Sequence, residues 1–241
     1  MSSDAADLPP HLRPFVLPHE PVEPEPSGGL DLYLPGSTPA PAVLMVHGGP
    51  VPPDRPVRPP QWPAFRAYGA LLAQAGLVGA MFEHGFVDDD ALPGSLEDVR
   101  VALRALRDDP RVDAERVGLW FFSAGGFLLG SFLDPVPEGV LAVAGTYAAV
   151  GHPELAGLGL VDALDAAPRS RVPLLLVRPE HDFDWIAPFT DDLLARCRGT
   201  DRVVDVLDVP GGHHGFETVD DTEAARDAIR RSIAWWVHAL R

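Results

Sequence analysis

The chain has 241 residues, 46% of them hydrophobic and 22% charged, the balance of a globular domain rather than of a fibrous or disordered chain. Acids outnumber bases by 35 to 19, and the formal charge of −16 argues against nucleic acid or an anionic membrane surface as a partner. All 19 basic residues are arginine and asparagine is absent, which excludes Schiff-base lysine chemistry, a Walker A motif, a Ser-Lys pair and a Cys-His-Asn triad.

The first residues, Met1 to Asp7, have neither a basic n-region nor an apolar h-region, and no apolar run approaches 18 residues, so a soluble, cytoplasmic protein without a membrane partner is expected. Seventeen of the 27 prolines precede residue 64. That quarter should be extended, with at most short edge strands at 15–17 and 30–34. Residues 1–29 read as a proline-rich arm and 30–241 as one domain. From residue 42 onward, short apolar runs alternate with helical patterns, the βαβα order of a mostly parallel central sheet with helices on both faces. Strands are expected at 42–46, 77–82, 117–122, 140–146, 174–177 and 203–209. Trp62-Pro63 opens a helix that Gly76 ends, and Ser95 reads as the cap of a second helix that Pro110 stops. The flank of Cys197 reads as a helix carrying a buried, inert thiol, which as the single cysteine cannot form an internal disulfide. Ala225, Ile229, Ser232, Ile233, Trp236 and Leu240 form one stripe of a C-terminal helix. The stretch between 146 and 174 is too short for a large lid domain, so an open site is expected.

Four strand ends carry residues capable of chemistry. The strand at 42–46 runs into His47-Gly48-Gly49-Pro50, where glycines allow close backbone approach to a substrate and Gly49 is the first candidate oxyanion donor, ahead of Gly48. His47 reads as a structural histidine organising that loop. Phe122-Ser123-Ala124-Gly125-Gly126 joins a buried strand to small residues and then to a helical run. A nucleophile elbow needs this pattern, although a serine N-cap produces it too. Ala124 would offer its amide at a helix N-terminus. Leu174 to Val177 leads to Asp182 and Asp184, and the last strand leads to His213 and His214. Serine, acid and histidine thus follow in chain order at the C-terminal ends of successive strands, where open α/β sheets hold their sites.

These segments resemble the α/β-hydrolase superfamily, and within it the small dienelactone-hydrolase-like and prolyl-oligopeptidase-like serine hydrolases. The resemblance covers residues 30 to 241 and implies an α/β-hydrolase fold. It implies Ser123 as nucleophile, His214 as base and Asp182 as acid, with Asp184 the competing acid. Two departures from the family pattern stand out. Phe121 occupies the position of the elbow's first glycine, and Ser123 that of the dienelactone hydrolases' cysteine.

The chemistry implied is cleavage of a carboxylic ester of a small molecule through an acyl-enzyme, with the oxyanion held by the Gly49 and Ala124 amides. No cofactor or metal is expected, because this role already accounts for Asp182 and His214, although His181, Asp182, His213 and His214 could converge. Phe122, Trp62, Tyr147, His152 and Trp185 are candidates to line a pocket, with core packing the alternative for aromatic residues at strand ends. Arg55 and Arg58 could receive an anionic group or simply be solvated. Acyl transfer or a tailoring step such as cyclisation or deacetylation would use the same three residues. A non-catalytic binding protein on the same scaffold is the alternative of another class.

Overall fold

The computed structural model describes residues 7–152 and 155–241. Eight strands form one sheet: β1 (Glu25–Ser27), β2 (Leu30–Tyr33), β3 (Ala40–Val46), β4 (Val78–Met81), β5 (Val112–Phe122), β6 (Val140–Thr146), β7 (Leu174–His181) and β8 (Asp205–His213). Their order is β1-β2-β4-β3-β5-β6-β7-β8, with β1, β2 and β4 paired antiparallel and every pair from β4 to β8 parallel. The helices are α1 (Pro63–Gln74), α2 (Leu92–Asp108), α3 (Ala163–Ala166), α4 (Ala187–Arg198), α5 (Phe216–Val219) and α6 (Glu223–Ala239).

Alternation along the central strands divides the core between two faces. Leu44, Val46, Leu119 and Phe121 point to the face covered by α2, α3 and α4, where Cys197 is buried. Val43, Met45, Trp120 and Phe122 point to the face covered by α1 and α6. The central strands are apolar on both sides because both sides are covered. Trp236 of α6 is fully buried and lies on β5, where a Cβ at Gly118 would fall 2.1 Å from its ring. Trp236→Ala would leave a cavity that neither β5 nor α6 can close, and should cost about 3–5 kcal/mol in urea denaturation.

Several boundaries depart from the sequence expectation. Residues 15–17 form no strand; Val16 instead donates its amide to the Glu217 carbonyl at 2.9 Å and Leu17 enters the core. Ser95 lies inside α2, not at its cap, and its hydroxyl donates back to the Ala91 carbonyl. The helix starts earlier because a 3-10 turn capped by Asp88 runs straight into Pro93, whose missing N–H suits a first turn. The last strand begins at Asp205, leaving Val203 exposed, and both β7 and β8 continue past their apolar runs to His181 and His213. The run after Ser123 is a ten-residue 3-10 helix, Ser123–Phe132, rather than an α-helix. No helix among the described residues is long and apolar enough to cross a membrane. The connection from Thr146 to Leu174 carries, among its described residues, only a 3-10 helix at 155–158 and the one-turn α3.

Candidate active site

The order of the sheet reverses at β3, which has β4 on one side and β5 on the other, and the crevice at such a reversal is where open α/β sheets bind ligands. Ser123 directly follows β5 at this point. Its φ of 50° is costly for a non-glycine residue and is held because the chain must turn at once from strand to helix. Asp182 directly follows β7, and His214 directly follows β8. The Ser123 hydroxyl donates to His214 Nε2 at 2.8 Å, and His214 Nδ1–H donates to Asp182 Oδ1 at 2.6 Å. Asp182 Oδ1 also accepts the Phe183 amide at 2.8 Å, which fixes the carboxylate. Asp184 is exposed and His213 turns away to pair with Asp220, so neither belongs to this series. The imidazole of His214 lies between two rings, Tyr147 at 4.4 Å and Phe183 at 4.3 Å. Among the described residues no group of histidine, cysteine and acid side chains has the geometry of a metal site.

The loop after β3 comes close to the serine because it is glycine. A Cβ at Gly48 would fall 2.7 Å from the Ser123 Cβ, and one at Gly125 would fall 2.4 Å from the His47 carbonyl oxygen. The Gly49 amide donates to no group among the described residues, and Ala124 lies in the first turn of its helix, where amides lack intrahelical carbonyls. His47 is buried, and its Nδ1–H donates to the Gly48 carbonyl at 2.5 Å. Its partner, which the sequence did not reveal, is His84. The two imidazoles stack 3.7 Å apart, the His84 amide donates to His47 Nε2, and His84 Nε2–H donates to the His47 carbonyl. Both rings are neutral in this arrangement: burial lowers His84 to about 4 and holds His47 well below the usual imidazole range. Phe121, in place of the elbow's first glycine, is fully buried against Phe132, beside the narrow 3-10 segment.

No family model matches the sequence, and neither does any curated protein. Solved structures do. A thermostable carboxylesterase cloned from a metagenomic library superposes with a TM-score of 0.71 at 17% identity, over 94% of this chain and 92% of that one. A carboxyl esterase from the fungus Tuber melanosporum superposes with a TM-score of 0.68 at 18% identity, over 100% of this chain and 95% of that one. Dipeptidyl peptidase 4 of Porphyromonas gingivalis superposes with a TM-score of 0.69 at 16% identity, over 88% of this chain, which spans 33% of that longer protein. The chain has the α/β-hydrolase fold.

Two cavities of this α/β-hydrolase fold meet at Ser123. The first, about 280 Å³, is mostly apolar, lined by Phe86, Leu92, Phe127, Leu158 and Trp185, with His152 and Asp89 also on its wall. The second, about 310 Å³, is lined by Phe122, Trp62, Tyr147 and Phe65 together with His11, Arg55 and Glu217. Gly49, Pro50 and Phe183 border both. Glu217 was not legible as a site residue, because it follows a His-Gly-Phe turn with no local mark of burial. It is nevertheless buried, and it accepts the Tyr147 hydroxyl on Oε1 while Oε2 has no hydrogen-bond partner among the described residues.

Burial pushes the Glu217 carboxyl up to about 7, against an ordinary 4.5. Between these values the unfolded chain has released this proton while the folded protein keeps it, so the residue withdraws stability as pH rises through that window. Glu217→Gln should therefore gain stability relative to the parent between pH 5 and pH 8, by up to about 3 kcal/mol. Thermal denaturation of both proteins at the two pH values checks this.

Proposed function

We propose that the protein is a serine hydrolase that cleaves a carboxylic ester of a small molecule through an acyl-enzyme. The observation that carries this reading is the unbroken hydrogen-bonded series from Ser123 through His214 to Asp182, opening onto two cavities. The carboxylesterases among the similar structures support it at the level of reaction class.

In the first half-reaction His214 Nε2 takes the proton from Ser123 Oγ as the oxygen attacks the ester carbonyl carbon. The carbonyl oxygen gains negative charge, which the Gly49 and Ala124 amides receive. The tetrahedral species collapses, the carbon–oxygen bond to the alcohol breaks, and His214 passes its proton to the departing oxygen. Water then enters, gives a proton to His214, attacks the acyl carbon and releases the acid, and the proton returns to Ser123. Asp182 keeps Nδ1 protonated, so that Nε2 is the lone-pair nitrogen when the serine needs a base, and it stabilises the imidazolium that follows.

The test is labelling of Ser123 by a fluorophosphonate together with turnover of p-nitrophenyl esters of increasing acyl length. Labelling at Ser123 and saturable turnover are expected. A protein that neither labels nor hydrolyses any member of the series would sink the proposal and leave a binding role on the same scaffold.

A further inference from the structure

The second cavity contains a charge that this chemistry does not use. In so acidic a chain most arginines sit against carboxylates, as Arg66 does with Glu23, Arg111 with Asp109 and Arg178 with Asp208. Arg58, in the loop after Gly49, is likewise bound to Glu83. Its neighbour Arg55 has no carboxylate within ion-pair distance among the described residues. Instead its Nη1 donates to Nε2 of His11 at 2.7 Å, its guanidinium carbon lies 6.0 Å from the centre of the Trp62 ring, and its Nε is buried with no hydrogen-bond partner among the described residues. His11 comes from the N-terminal segment and packs on Trp62 with ring centres 4.9 Å apart. It accepts the guanidinium's hydrogen only as a neutral ring, and burial together with Arg55 lowers its pKa.

Arg55 is thus held in place by an aromatic face and a neutral acceptor, neither of which cancels its charge. The acid lining the same cavity, Glu217, is engaged by the Tyr147 hydroxyl. A guanidinium so placed, partly withdrawn from water and lining the cavity that reaches Ser123, is a receptor for an anion such as a carboxylate, which the Nη hydrogens not donated to His11 can bind. We propose that the cavity bounded by His11, Arg55 and Trp62 is the subsite for a carboxylate-bearing portion of the ester, with Arg55 binding the carboxylate and His11 positioning Arg55. The inference rests on Ser123 acting as proposed above. The mostly apolar cavity on the other side of Ser123 takes the remaining, uncharged portion.

Two matched ester pairs test this by carrying the charge on opposite sides of the scissile bond: 4-acetoxybenzoate with its methyl ester, and mono-4-nitrophenyl adipate with its methyl ester. At low ionic strength, the ratio of kcat/KM for the anionic member over the neutral one should fall tenfold or more in Arg55→Met for one of the pairs. That pair shows which side of the ester enters the cavity. His11→Ala should lower the same ratio by a smaller factor. Both members are measured on one preparation, so the fraction of folded enzyme cancels, and Arg55→Gln provides a second variant should Arg55→Met fail to fold. A ratio that stays within twofold of the parent in both pairs, while Ser123 still labels and the neutral esters turn over, overturns the subsite alone. Absence of both labelling and turnover overturns the hydrolase reading and the subsite with it.

Discussion

Ser123→Ala and His214→Ala should each lower kcat on esters by about 10⁶. Without the hydroxyl there is no atom to form the acyl-enzyme. Without the imidazole, the hydroxyl meets the carbonyl with no base 2.8 Å away to take its proton. Because both residues serve one step, the double variant should be scarcely worse than either single one, and that non-additivity separates a joint role from two independent losses. Single-turnover and steady-state assays on repurified protein check the result. Full activity in Ser123→Ala would remove the serine from the chemistry.

The second large effect concerns the acid. Asp182→Asn should lower kcat by about 10⁴, with little change in the fold. An asparagine presenting its amide N–H₂ to Nδ1 favours the imidazole tautomer whose proton sits on Nε2, facing the serine, so the base is lost while the packing stays. Asp184→Asn should change kcat less than threefold, because that side chain is exposed and the carboxylate on His214 Nδ1 is that of Asp182. Comparing the two variants isolates tautomer control from loss of negative charge, since each removes one carboxylate from the same loop.

In the proposed chemistry, the loop that holds Gly49 depends on histidines that carry out no proton transfer. The carbonyls of His47 and Gly48 are each held by an imidazole N–H, and the two rings stack. This arrangement turns the peptide planes of residues 47 and 48 and leaves the Gly49 amide unused, which is the state a developing oxyanion requires. A protonated His84 would place a charge against a buried neighbouring ring, so the loop should hold its shape only above the pH range in which His84 titrates, near 4.

Much of this molecule was legible in its sequence. The apolar runs at 42–46, 117–122, 140–146 and 174–177 are strands because each is long enough to cross a two-sided core and is bounded by turn residues. Gly48 and Gly125 mark the places where two backbones must pass within contact distance. Serine, acid and histidine each follow the end of a strand, which places all three at one edge of a parallel sheet. These are properties of short windows, set by periodicity, side-chain volume and allowed backbone angles.

Tertiary structure decided what short windows do not contain. The resemblance points to Asp182 and His214; what brings them together is that β7 and β8 keep pairing beyond their apolar runs, through a register shift after Pro179 that sets His181 opposite His213. That register is a relation between segments 32 residues apart. The 3-10 path after Ser123, the stacking of His84 on His47, the burial of Glu217 under Tyr147 and the approach of His11 to Arg55 are of the same kind. His84, Glu217 and His11 each acquire their setting from a partner brought by a different strand, helix or loop, so it is fixed by packing across the fold and not by the residues beside them.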